Sequence, residues 1–185
     1  MTDTRLYFAY GSNINLEQMA YRCPDAQVIG PVTLEDYELT FRGRTDGRGV
    51  ANIEPKEGSV VHGLLWRITP KCEIALDRYE GVPRLYVQQE VTVRDDKGKP
   101  FTVMAYVMTE LFREPALPSP YYFDGIRDGF IQNGMDDTPL LEARTKCHAE
   151  VSAKHAQYPP YADVSAEHAQ RPPYRKEKKG KQHER

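Results

Sequence analysis

Cysteine is scarce in this chain: its 185 residues include Cys23, Cys72 and Cys147, spaced far apart, and no others. None belongs to a Cys-x-x-Cys pair or stands at a Cys/His ligand spacing. Neither a metal centre nor a disulfide framework is expected, and the three read as free thiols of a reducing compartment. No pair of histidines has helical ligand spacing, and His155, His168 and His183 fall in the C-terminal tail. Long apolar runs are missing as well. No stretch approaches the ~18 apolar residues of a membrane span, and the N-terminal Met-Thr-Asp-Thr-Arg lacks the apolar segment of a signal peptide. A cytoplasmic protein without a membrane partner is expected. Net positive charge is absent where a fold could display it. Residues 171–185 carry seven basic side chains against Glu177 and Glu184, a balance of +5, whereas the whole chain is −2 and residues 1–170 are therefore −7. An acidic body with a basic end excludes a nucleic-acid-binding domain. Gly43-Arg-Thr-Asp-Gly-Arg-Gly49 lacks the Gly-Lys-Ser/Thr ending of a phosphate loop and reads as a turn.

What is present suffices for one domain, since 39% of the residues are apolar. Leu6 to Ala9 is an apolar strand running into the turn Gly11-Ser12-Asn13. Asn15 with Gln18 resembles a capping box for a short helix ending near Arg22 before Pro24. Tyr37–Phe41 and Val60–Ile68 read as strands. Thr69-Pro70 caps a helix that ends at Glu80-Gly81. Tyr86–Val93 and Phe101–Thr109 form a hairpin about Asp95-Asp96-Lys97-Gly98. Ser119-Pro120 and Thr138-Pro139 repeat the cap-plus-proline device and open two more helices. Strands in a meander with helices mostly later predict an α+β fold with a mostly antiparallel sheet, in which barrel closure would remove exposed edges.

The character changes near residue 150. Val151-Ser-Ala-Lys-His-Ala-Gln-Tyr-Pro-Pro-Tyr161 recurs as Val164-Ser-Ala-Glu-His-Ala-Gln-Arg-Pro-Pro-Tyr174, a repeat of period 13 with substitutions at two places. Two copies are too few for a solenoid. Residues 1–148 are thus expected to form the folded domain. Residues 149–185 are expected to be a Pro-rich, basic, disordered or extended appendage, with Tyr-Pro-Pro-Tyr open to peptide-type contacts with a proline-reading domain.

Two motifs carry chemistry. A strand that stops at Gly-Ser-Asn leaves consecutive backbone N–H groups able to hold a carboxylate, though an ordinary capped turn has the same pattern. In Leu76-Asp-Arg-Tyr-Glu-Gly-Val82, Glu80 stands at a helix C-terminus, where the helix dipole and partial burial would raise its pKa toward neutrality. A solvated Glu at a helix end is the plainer reading of those residues alone.

Together these stretches bring a family into view. Tyr7-Phe-Ala-Tyr-Gly-Ser-Asn13, Gly49-Val-Ala-Asn-Ile53, Val61-His-Gly-Leu-Leu-Trp66, Leu76-Asp, Glu80-Gly-Val82 with Leu85-Tyr-Val87, Ala105-Tyr-Val-Met-Thr109 and Pro118-Ser-Pro-Tyr-Tyr122 appear in the order they take in the γ-glutamylcyclotransferase family. The chain resembles that family over about residues 6 to 142. The resemblance implies a barrel-like α+β fold and cyclisation of a γ-glutamyl compound to 5-oxoproline with release of an amine, without a cofactor. It implies Glu80 as general acid/base and Tyr7, Phe8, Ala9, Tyr10, Gly11, Ser12 and Asn13 as the substrate loop, with Tyr122 and Tyr86 near the substrate. The partner implied is a small γ-glutamyl molecule. A homodimer stays open, as do a cyclotransferase for γ-glutamyl amines (an isopeptide or a modified metabolite) and a non-catalytic binder of the same fold.

Overall fold

The computed structural model describes residues 4–44 and 46–157. Five strands close into a barrel: β1 (Arg5–Ala9), β2 (Gln27–Gly43), β3 (Gly49–Ile68), β4 (Tyr86–Arg94) and β5 (Pro100–Met108), in the spatial order β1-β3-β2-β4-β5. All neighbours are antiparallel except β1 and β5, which meet in parallel with Tyr7 opposite Met104. The expected α+β fold is therefore present, and closure leaves none of these strands as a free edge.

β2 and β3 are far longer than the two short strands expected. The β2–β3 pairing breaks at Asp36 and residues 56–59 and resumes on either side, with Glu35 opposite Val60 and Tyr37 opposite Pro55. A register shift between Glu35 and Tyr37 absorbs Asp36 in a left-handed conformation. The Asp36 carboxylate accepts the N–H of Gly58 across the bend at 2.9 Å. One hairpin thus bends over the barrel and pairs at both ends.

Four helices pack outside: α1 (Leu16–Arg22), α2 (Pro70–Glu80), α3 (Pro120–Gln132) and α4 (Thr138–Gln157). Asn15, Thr69 and Ser119 cap the first three as their spacing predicts, each accepting the N–H three residues on. α4 departs from the pattern, because Thr138 is already helical and Asp136 accepts both its N–H and its hydroxyl. α3 presses Phe123, Ile126 and Phe130 onto the core. A Cβ at Gly129 would lie 2.7 Å from the backbone nitrogen of Asn15, so only glycine lets α3 come this close to the turn after β1. Asn15 and Asn133 tie the same two segments together, donating to Gly125 O and Ile14 O.

The boundary expected at 148/149 falls inside α4 and is corrected. The helix runs to Gln157 with Val151 packed on the core, because the residues before the first prolines at 159 and 160 are all helix-compatible. The start of the first repeat copy is therefore helical. The two Pro-Pro pairs, the second copy and the basic end lie outside the described residues.

Arg42 joins α4 to the barrel. This nearly buried guanidinium grips Glu54 with two hydrogen bonds and Glu150 with a third at 2.6 Å. Burial raises the Glu54 carboxyl, but the Arg42 hydrogen bonds and charge outweigh it and hold it below its ordinary value. Arg42→Met should take the guanidinium from both carboxylates, leaving Glu54 only Thr40 and Asn52 and Glu150 only Lys146 at 3.8 Å, and destabilise the protein by about 2–3 kcal/mol, lowering Tm by roughly 5–10 °C. A depressed carboxylate pKa contributes stability at pH above its unfolded value and loses it as pH falls through the folded value. The Tm gap should therefore narrow in acid, and an unchanged Tm at neutral pH would refute the role.

Candidate active site

Glu80 is the last residue of α2, before the chain reverses through Gly81 in the left-handed region. Across from it, β1 ends and residues Ser12–Ile14 make a single 3-10 turn. Trp66 Nε1 donates to Asn13 O at 3.1 Å and fixes this turn to β3. Among the described residues, no acceptor takes the N–H of Gly11, Ser12 or Asn13.

Asn13 is the hinge of the polar network. Arg22 Nη1 donates to Asn13 Oδ1 at 2.7 Å, which leaves the amide nitrogen to donate to Glu80 Oε1 and to Tyr7 Oη, each at 2.8 Å. Both amide N–H donors are thereby used and the direction of the amide is determined. Arg22 also donates to Ser12 Oγ, Gln18 Oε1 and Tyr79 Oη, and its guanidinium carbon lies 3.8 Å from the centre of the Tyr79 ring.

A cavity of about 150 Å³ opens beside the carboxyl, lined by Ser12, Arg44, Val50, Tyr79, Glu80, Leu85, Tyr86 and Tyr122. Glu80 is the one carboxyl among these. Burial pushes its pKa up to about 7, against the opposing pull of the Asn13 hydrogen bond and of Arg22 and Arg44. The residue keeps part of its surface in solvent, while its carboxyl faces the enclosed side, so the atom-level burial governs the titration. Tyr7, Tyr10, Tyr86 and Tyr122 are all raised, first by burial. They stay protonated where Glu80 can give or take a proton.

Two tyrosines face the cavity in complementary states. Tyr122 Oη accepts the N–H of Ala51 at 3.1 Å, so its own proton remains to be given. Tyr86 donates to Ala51 O, so its oxygen remains to accept. Tyr10 donates to Tyr106 O, and Tyr106 in turn donates to Asp77 at 2.8 Å.

The residues expected at the site thus divide. Glu80, Ser12, Tyr86 and Tyr122 line the cavity, Asn13 and Tyr7 touch Glu80 or its partner, and Gly11 lies under Tyr122. Phe8 and Ala9 are corrected: both are wholly buried among core residues, and neither reaches the cavity. In a strand next to the barrel core, Phe8 fills the space that the absent side chain of Gly63 leaves, its ring 2.4 Å from where a Cβ would stand. Tyr10 serves the wall through its bond to β5. The sequence reading missed Arg22, Tyr79 and Arg44. Arg22 shows only as a basic residue at a helix end, and Tyr79 only as the neighbour of Glu80.

Comparison with known proteins gives the same assignment over the same segments. The family model described as gamma-glutamyl cyclotransferase, AIG2-like, matches residues 7–123. The gamma-glutamylcyclotransferase of Bos taurus is 37% identical over 137 residues, covering 70% of this chain and 72% of the bovine one. The Homo sapiens protein of the same name is 37% identical over 138 residues, 70% of this chain and 72% of its own. A solved gamma-glutamyl cyclotransferase structure superposes with a TM-score of 0.68 at 34% identity, over 80% of this chain and 88% of that one. A yeast gamma-glutamyl cyclotransferase specific to glutathione shares the fold, with a TM-score of 0.53 at 14% identity over 78% of this chain and 96% of its own. With its matched segments, its barrel and its half-buried Glu80 in one accord, this chain belongs to the γ-glutamyl cyclotransferase, AIG2-like family.

Proposed function

We propose that this γ-glutamylcyclotransferase converts a γ-glutamyl amide to 5-oxoproline through Glu80 as its proton shuttle. The observation that carries the reading is one carboxyl, held near neutrality by burial and aimed by Asn13, beside a cavity of glutamyl size. The α-carboxylate of the substrate would take the N–H groups of Gly11, Ser12 and Asn13, with the Tyr122 hydroxyl as a further donor. Tyr86 Oη would accept from the α-ammonium. The ammonium first gives one proton to solvent; the free amine then attacks the γ-carbonyl carbon and closes the five-membered ring as ionised Glu80 takes its second proton. The amide C–N bond then breaks as Glu80 returns the proton to the departing nitrogen. One carboxyl serves both steps by lying between the two nitrogens. The remaining work is folding the glutamyl chain back on itself, a positioning task with a large effective molarity available.

Incubating the full chain with γ-glutamylalanine, γ-glutamyl-ε-lysine and glutathione, and measuring 5-oxoproline, tests the activity and its substrate at once. Product from at least one is expected, and none from all three would leave the binding-protein reading in its place. For the best substrate, kcat/KM should rise about tenfold per pH unit below neutrality and level off above about 7, as Glu80 ionises in the free enzyme. A flat profile through neutrality would reject Glu80 as the base.

The catalytic unit in this reading is the barrel with its four helices, ending with α4 rather than at residue 148. Cys23, Cys72 and Cys147 are all buried free thiols, and no described helix is long and apolar enough to cross a membrane. These features support a cytoplasmic site of action.

A further inference from the structure

Resting on the cyclotransferase reading, we infer that the groove between α1, α2 and α3 receives the departing amine and favours amines bearing a flat, apolar side chain. The substrate has two halves on either side of the γ-carbonyl, and the cavity beside Glu80 has room for the glutamyl half alone. A second concavity of about 370 Å³ shares two wall residues with it and is lined by Glu17, Gln18, Tyr21, Arg22, Tyr79, Tyr121 and Tyr122. Tyr79 and Tyr122 belong to both walls, so the two spaces adjoin across these two rings, one of them on the residue before Glu80. In this assignment the amine that leaves with its proton from Glu80 passes between these two rings into the groove.

The lining defines what fits. Tyr21 is 91% exposed, Tyr121 86% and Tyr79 47%, and these three rings stand on one groove of a chain whose mean hydropathy is −0.67. Exposed aromatic rings cost solvation and gain most when a flat partner covers them. Charge offers no competing selection. Arg22 is the groove's one guanidinium and already binds Ser12, Gln18 and Asn13 and lies over Tyr79, while Glu17 balances it formally. Arg22 holds the Tyr79 ring rigid as one wall, with Tyr21 and Tyr121 presented by α1 and α3. Recognition therefore falls to ring faces.

The test compares kcat/KM for γ-glutamylphenylalanine and γ-glutamylalanine. The unmodified enzyme should prefer the phenylalanine substrate. The double variant Tyr21→Ala/Tyr121→Ala should lose about tenfold on that substrate, with a much smaller change on γ-glutamylalanine, so that the ratio collapses. Tyr21→Phe/Tyr121→Phe keeps the rings and should keep the ratio. An unchanged ratio in the alanine variant, or equal loss in both variants, would overturn the groove assignment. Failure to turn over either substrate in the unmodified enzyme would instead overturn the cyclotransferase reading, so the two failures are distinguishable.

Discussion

Replacing Glu80 by glutamine is expected to lower kcat by about two to four orders of magnitude, the usual contribution of a positioned acid–base group. Glutamine keeps the length and the oxygen that accepts from Asn13 Nδ2, so the turn at residues 12–14 should stay in place. KM should change far less, since the groups proposed to hold the α-carboxylate are backbone N–H groups and the Tyr122 hydroxyl. The same variant has a stability signature with a definite sign. Burial raises the folded pKa of Glu80 from 4.5 to about 7, whereas the unfolded chain keeps the lower value. Between these values the native state holds the extra proton, so stability falls as pH rises through this window. The full shift corresponds to about 3 kcal/mol, and solvent at this partly exposed residue reduces it to about 1–2 kcal/mol. Glu80→Gln should therefore be more stable than the parent at pH 8 and equal to it below about pH 4, where the carboxyl is protonated in both states. Thermal melts across pH measure this independently of turnover. A folded Glu80→Gln enzyme within about threefold of the original kcat would remove the carboxyl from the chemistry.

Gly11→Val is expected to cost at least about 10²-fold in kcat/KM while the barrel still folds, since a displacement near 1 Å at the reacting groups has that scale. Gly11 has φ of −113°, outside the left-handed region, and the constraint argued for it is space. An added Cβ would lie 3.2 Å from Ala51 Cβ and 3.4 Å from Tyr122 Oη. The valine methyl groups extend beyond that point into Tyr122. Displacing this ring breaks the bond from Ala51 N–H and removes the hydroxyl from the cavity wall. Titration calorimetry with 5-oxoproline separates binding from chemistry. Undiminished affinity in a folded Gly11→Val protein would detach this loop from the substrate.

Much of the fold was legible in the sequence because its signals are local. Asn15, Thr69 and Ser119 each cap a helix by bonding the N–H three residues on, and Pro70 and Pro120 occupy first-turn positions that tolerate them. Asp95 to Gly98 turns the β4–β5 hairpin with hydrogen bonds inside the turn. Where a signal of that kind competed with tertiary pairing, the pairing won. Tyr37–Phe41 and Val60–Ile68 read as two short strands, yet β2 and β3 pair on both sides of the bend that Asp36 and Gly58 hold together. Residues 149–157 look like the start of a Pro-rich tail, yet Glu150 bonds to Arg42 and Val151 packs on the core, holding α4 together as far as Gln157.

The site divides in the same way. The sequence by itself determined that Glu80 ends a helix before glycine, that a strand ends at Gly11-Ser12-Asn13, and that Tyr122 follows a capped helix start. Each of those facts depends on residues within one turn. Only the tertiary structure decided that Asn13 would aim its amide at Glu80, that Arg22 would hold Asn13 and Tyr79, and that Phe8 and Ala9 would fill the barrel. Those outcomes depend on which segments closure brings together. A carboxyl pKa near 7 is likewise a property of the assembled wall, since desolvation depends on every atom that excludes water from the group, and most of those atoms belong to other strands and helices.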